Sequence, residues 1–262
     1  MKYLTRHRGW LALALLAGVV LGCKSTTTST STSTNDSNRN SNSTTSSNSN
    51  SATSTSANSG TSTRSAVAPD IAGTYNITGT NPTGTQYKGT LDVITRGDVY
   101  EFKWHAGTEY DGVGVQNGNV IAVAFATGPE GKGCGVVDYD IASDGALNGK
   151  WGYWGTNDAG TESATRTSGS SLAGEYDATG KNLDGKQYTA HLTVEPAGNL
   201  YHFAWSNNTD GVGIKRGDNV AVGIGGRRCG FVMYEAQSGG TLDGIWGGGG
   251  SDTTGTERAT KR

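Results

Sequence analysis

The second half of this sequence repeats the first. Residues 71–166 open on IAGTYNITGTN, pass through Tyr100-Glu101-Phe102-Lys103-Trp104 and close on GTESATR. Residues 172–261 open on LAGEYDATGKN, pass through Tyr201-His202-Phe203-Ala204-Trp205 and close on GTERATK. With two small gaps the copies agree at roughly a third or more of positions, and a unit this long is a whole domain rather than a propeller blade or solenoid turn. The duplication acts as an internal control. Residues kept in both copies are candidates for a shared fold or site, and residues present in one copy cannot be required by both.

Each copy reads as about eight short strands punctuated by Gly, Asn, Asp and Ser. In the first they are Gly73–Thr80, Tyr87–Thr95, Val99–His105, Tyr110–Val115, Val120–Ala126, Cys134–Ile141, Leu147–Trp154 and Gly160–Arg166, and the second follows in step. No segment sustains a helical period. Tight turns such as Arg96-Gly97-Asp98 and Ser143-Asp144-Gly145 make hairpins. The expectation is all-β: two tandem antiparallel meanders, residues 71–166 and 172–261, each an eight-stranded barrel that closes on itself and so removes its edges. Tyr100, Phe102 and Trp104 share one face of their strand, as do Tyr201, Phe203 and Trp205, while polar residues hold the other. Gly112, Gly114, Gly211 and Gly213 lie inside strands, where glycine permits sharp bending or close backbone approach; tight barrel curvature is the simpler account of them.

The N-terminus carries an address. Lys2, Arg6 and Arg8 precede an apolar run from Trp10 to Leu21, the form of an export signal occupying residues 1–22. It ends at Val20-Leu21-Gly22-Cys23, which resembles the bacterial lipobox. That resemblance implies a lipid on Cys23, attachment to a membrane through acyl chains, and a cell-envelope location, with Lys24 after the cysteine favouring an outer membrane. From there to residue 70 the chain is mostly Ser, Thr and Asn, too polar to offset the entropy of ordering, so residues 23–70 read as anchor plus disordered stalk. Such a coil has a root-mean-square span of about 35–40 Å. The leader holds three of the 21 basic residues, leaving 18 against 23 acidic ones, and no basic cluster lies in the repeats, which argues against a nucleic-acid partner.

Cys134 and Cys229 occupy matching positions. There is no CxxC or Cys/His spacing for zinc, and no metal or cofactor is expected. Both cysteines face away from Tyr139 and Tyr234, beside Val136 and Phe231. Two readings stand: a disulfide across a pseudo-two-fold axis between the barrels, which an oxidising compartment allows, or two buried unpaired thiols.

No histidine is shared between the copies, which removes any histidine mechanism common to both. The shared acids are Asp111 with Asp210 and Glu162 with Glu257. Paired carboxylates suit glycoside hydrolysis, but turn and strand-end bonding is the simpler account of them, and no nucleophile motif accompanies them. The expectation is a non-enzymatic protein. The shared aromatics fill a small core or line a pocket; Tyr87, Trp104, Tyr188 and Trp205 are candidates for ligand contact. Trp154 joins them because it lacks an aromatic counterpart, Gly249 matching it.

The openings Gly73-Thr-Tyr75 and Gly174-Glu-Tyr176, each followed by a meander, resemble the Gly-x-Trp start of lipocalins and the Gly-Thr-Trp start of avidins. The copies are also similar to Gly/Tyr/Trp-rich domains of bacterial secreted proteins, some labelled fibronectin-binding. The resemblance implies small barrels with an interior pocket. Together these features suggest an envelope lipoprotein presenting tandem binding modules for an extracellular protein, a glycan or a small apolar molecule. The alternatives are a structural or protective lipoprotein and, third, a hydrolase.

Overall fold

A computed structural model describes residues 68–128, 133–248 and 250–262. The expected leader, the lipid-bearing Cys23 and all but the last three residues of the stalk lie outside them. The described chain forms sixteen strands: β1 (Gly73–Thr80), β2 (Gln86–Arg96), β3 (Val99–His105), β4 (Glu109–Asn117), β5 (Val120–Thr127), β6 (Gly135–Ile141), β7 (Leu147–Tyr153), β8 (Gly160–Ser168), β9 (Gly174–Lys181), β10 (Gln187–Ala197), β11 (Leu200–Trp205), β12 (Thr209–Arg216), β13 (Asn219–Ile224), β14 (Gly230–Gln237), β15 (Thr241–Gly247) and β16 (Gly255–Lys261). Left-handed glycines at the tips, such as Gly97 (φ 60°) and Gly118 (φ 61°), allow the tight turns that sequence punctuation indicated.

The strands close into two eight-stranded antiparallel barrels, but the barrels are not the repeats. The first runs β1-β16-β15-β14-β5-β4-β3-β2 and the second β10-β11-β12-β13-β6-β7-β8-β9. Each repeat contributes five strands to one barrel and three to the other. The division at 71–166 and 172–261 therefore describes the sequence period, while the folded units exchange their last three strands. The exchange is sealed by β5 pairing with β14 (Val123 opposite Val232) and β6 pairing with β13 (Val137 opposite Val222).

These four strands are buried on both faces. Ile121, Val123, Val232 and Tyr234 point into the first barrel; Val137, Tyr139, Val220 and Val222 point into the second. The opposite faces, with Val113 and Val115 of β4 and Val212 and Ile214 of β12, form a third apolar core between the barrels, built from Val120, Ala122, Ala124, Val136, Ala221, Phe231 and Met233. The one-apolar-face pattern thus holds for the outer walls and fails at the shared wall. Cys134 and Cys229 lie in this core and are joined as a disulfide, Cα–Cα 5.7 Å. They link the two connectors, β5–β6 and β13–β14, by which the chain passes between barrels.

Inside each barrel aromatic rings lie flat over glycines on neighbouring strands. A Cβ at Gly114 would come within 2.5 Å of the Phe102 ring, and one at Gly112 within 2.9 Å of Trp104. At Gly244 and Gly149 it would meet Tyr234 and Tyr139. These in-strand glycines make room for rings, a steric role additional to curvature. One end of each barrel is closed: the Tyr75 hydroxyl donates to the Ile71 carbonyl (2.6 Å), and Tyr176 to that of Leu172 (2.8 Å), under the incoming chain. Burial pushes the Tyr75 phenol up to about 12, with Asp70 and Tyr100 adding to it.

Candidate functional site

The other end of each barrel holds a buried carboxylate. In the first, Glu257 of β16 points inward and is 6% exposed. Its Oε1 accepts from the Tyr234 hydroxyl and from Trp104 Nε1 (3.1 Å), and its Oε2 from the Tyr87 hydroxyl (2.9 Å). In the second, Glu162 of β8, also 6% exposed, accepts from Tyr139 and Trp205 Nε1 (3.1 Å) on Oε1, and from Tyr188 (2.8 Å) on Oε2. Each acid is held by two phenols and an indole with no cation among them. A buried carboxylate survives only when its lone pairs are satisfied, and three donors do this here. Burial raises the Glu257 pKa, and the bonds from Tyr234, Trp104 and Tyr87 oppose the rise. Burial, and then the nearby Glu257 charge, push the Tyr87 phenol far above its ordinary range.

Each triad crosses the repeat boundary. Tyr87 and Trp104 come from the first repeat, while Tyr234 and Glu257 come from the second. In the other barrel Tyr139 and Glu162 come from the first, and Tyr188 and Trp205 from the second. The strand exchange builds both sites, so neither repeat contains one. Glycine again sets the geometry: a Cβ at Gly79 or Gly180 would strike the ring of Tyr87 or Tyr188.

The two mouths differ. In the first barrel a cavity of about 360 Å³ opens above Glu257, walled by Trp104, Tyr110, Phe125 and Trp246. Phe125 meets Trp104 (centroids 5.7 Å), Tyr110 (5.8 Å) and Trp246 (6.2 Å). In the second barrel Ile224 stands at the position of Phe125 and Thr209 at that of Tyr110. Tyr153 packs against Trp151 (5.8 Å, edge-on) and lies over Gly135, whose Cβ would come within 2.6 Å of its ring. The residue matching Tyr153 in the first barrel is Gly248, with open space around its Cβ. Of these three differences, Tyr153 against Gly248 is the one that sets a ring where the first mouth has open space.

Over the open mouth hangs the β13–β14 connector. Gly225 (φ 120°) and Gly226 (φ 70°) turn it into a short 3₁₀ segment, Gly226–Arg228. Arg227 and Arg228 are exposed at the rim, and neither makes a salt bridge to a carboxylate among the described residues.

The structure groups Tyr87 with Trp104 and Tyr188 with Trp205, each pair on a carboxylate. Trp154 is elsewhere: it packs on the core between the barrels, lining a small cleft with Val99, Tyr100 and Val113. The shared acids do not pair. Asp111 stands opposite Lys103 on the outer face of β4, whereas Glu257 is inside. The histidines show a relation that alignment hides. His105 on β3 stands opposite Thr90, near Asp92 (3.7 Å) and bonded to Glu109. On the other barrel His191, at the Thr90 position, stands beside Ser206 and bonds to Glu175 (2.7 Å) and Asp177 (3.2 Å). Both outer walls thus carry a histidine among acids, supplied by opposite strands of the same hairpin. Hydrogen bonds that the His191 ring donates to Asp177 and Glu175 raise its pKa. The sequence did not disclose the carboxylate triads as sites, although both acids stood out as a shared pair and four of the six donors, Tyr87, Trp104, Tyr188 and Trp205, as candidate contacts. Among the described residues no His, Cys, Asp and Glu group has the geometry to hold a metal ion.

Comparison with protein-family models, with curated proteins and with solved structures returns no match.

Proposed function

We propose that this chain is a lipid-anchored binding protein of the cell envelope, and that it takes a small, mainly apolar molecule in the mouth of the first barrel. The observation that carries the reading is the open aromatic cavity of about 360 Å³ above Glu257, set against the mouth of the second barrel, which Tyr153 occupies. The volume falls within the usual range for small-ligand pockets, and a mostly apolar lining with a few fixed polar groups is their usual make-up. Glu257 is fixed by three bonds before any ligand arrives, so it costs nothing to orient on binding. The second barrel serves as scaffold. The anchor on Cys23 and the stalk hold the barrels away from the membrane.

The test is fluorescence titration of the mature chain with N-phenyl-1-naphthylamine, an uncharged probe that brightens in apolar surroundings. One saturable site per chain is expected, and Gly248→Tyr, which copies the plug of the second barrel, abolishes it. Gly248 is not among the left-handed glycines and has free space at Cβ, so the variant is expected to fold. No saturable binding, or binding indifferent to Gly248→Tyr, sinks the reading.

A further inference from the structure

We propose that the ligand of the first barrel is a planar apolar acid: one or two fused rings lying among Trp104, Tyr110, Phe125 and Trp246, with an anionic group outward on Arg227 and Arg228. This rests on the binding reading above and adds the chemical class and orientation of the ligand.

Charge changes sign along the cavity. At its inner end is Glu257, already bound by Tyr87, Trp104 and Tyr234. At its outer end are two guanidiniums with no ion-pair partner among the described residues. A negative floor and a positive rim orient an amphipathic anion one way only, rings inward and acid outward. The reverse pose would bring an acid against Glu257. A cationic ligand would have to pass two arginines to reach a carboxylate whose charge three donors already compensate. Arginine also matches the geometry of carboxylates, sulfonates and phosphates, forming paired N–H···O bonds that lysine cannot.

Ring shape follows from the walls. Phe125 sits edge-on to Tyr110 (interplanar 85°) and to Trp246 (73°), which gives a cavity walled by ring edges and ring faces. A flat body fills it with stacked or edge contacts. The cavity volume accommodates one or two rings within the mouth. The two arginines ride on the connector that returns the chain from the second barrel to the first.

The experiment compares two probes with the same naphthalene body on the full mature chain: 1-anilinonaphthalene-8-sulfonate, which is anionic, and N-phenyl-1-naphthylamine, which is not. The anionic probe is expected to bind at least about tenfold more tightly, the worth of one charge-assisted contact. Arg227→Gln with Arg228→Gln removes that preference, bringing the anionic probe to the affinity of the neutral one. Added salt narrows the difference, because the rim is solvated. Equal affinities, tighter binding of the neutral probe, or a preference that survives the double substitution overturns the anion assignment while the pocket reading stands. Failure of both probes to bind, or binding of both that persists in Gly248→Tyr, overturns the pocket itself and the assignment with it.

Discussion

Asp138 of β6 lies directly opposite Ala221 of β13, fully buried in the wall between the barrels, and neither of its carboxylate oxygens has a hydrogen-bond partner among the described residues. The matching residue on β14 is Met233, part of the apolar core. Burial, with Asp140 nearby, pushes the Asp138 carboxyl up to about 8. The folded state therefore holds a proton that the unfolded chain releases above the ordinary carboxylate range. Stability contributed by that proton is complete below pH 4 and falls by up to about 1.4 kcal/mol per pH unit until pH 8. Asp138→Met is expected to raise the melting temperature, by more at pH 8 than at pH 4. Calorimetry at the two pH values checks it, and an equal or lower melting temperature at pH 8 refutes the idea.

Glu257 tests whether its three donors need an acceptor or a charge. Glu257→Gln keeps one oxygen for Trp104 and Tyr234 and turns an amide toward the Tyr87 hydroxyl, which can accept. Its expected cost is about 1 kcal/mol. Glu257→Leu strands an indole N–H and two phenols, at about 1–3 kcal/mol for each group left unpaired. Because burial raises the Glu257 pKa, the acid itself favours folding at low pH, so the deficit of the Gln variant should shrink as pH rises. Urea titrations of both variants measure the ordering, and equal losses would show that the triad is not cooperative.

The disulfide spans 95 residues of sequence. A loop of that length implies about 4–5 kcal/mol of stabilisation on chain-entropy grounds. Cys134→Ser with Cys229→Ser should lower the denaturation midpoint while leaving the β-sheet circular dichroism intact, because the β5–β14 and β6–β13 pairings do not depend on it. Loss of native spectrum at low temperature would show that the bond is needed to form the exchange.

A single repeat should not behave as a domain. Residues 68–168 contain β1–β5 of one barrel and β6–β8 of the other, with the strands that complete each supplied by the second repeat. The fragment is expected to be dimeric, each copy lending β6–β8 to its partner. Light scattering coupled to size exclusion reads the mass, and a folded monomer at micromolar concentration contradicts the prediction.

Much of this fold was legible in the chain. Strand positions followed from period-two alternation and glycine turns, with boundaries moving by two residues or fewer. Closure into eight-stranded barrels followed from strand number. The exchange was not legible, because β6–β8 and their counterparts β14–β16 carry matching residues. Tyr139 and Tyr234, or Glu162 and Glu257, satisfy either barrel equally, so local sequence does not record which copy they complete. One trace was present. Val120-Ile-Ala-Val-Ala-Phe125 is apolar at every position, the mark of a strand buried on both faces. The sites were harder. Comparing copies assumes that a site lies within one copy, whereas the Tyr87–Trp104–Glu257 cluster draws on both. The histidines escaped for a related reason: position 105 in one barrel and position 191 in the other serve the same place on the wall.

The exchanged topology also sets an order of events as the chain is made. The second barrel, β6 through β13, is a continuous stretch of chain and can close as soon as residue 224 has emerged. The first barrel needs both the earliest strand and the last: β1 pairs with β16, and Tyr75 stands opposite Lys261. Until the final residues arrive, β1 and β5 are open edges, the form of strand most prone to pairing with neighbours. A chain whose synthesis stops a few residues short would carry a finished second barrel and an unfinished first one. The mouth of the first barrel, which needs Glu257, is thus among the last parts to be assembled.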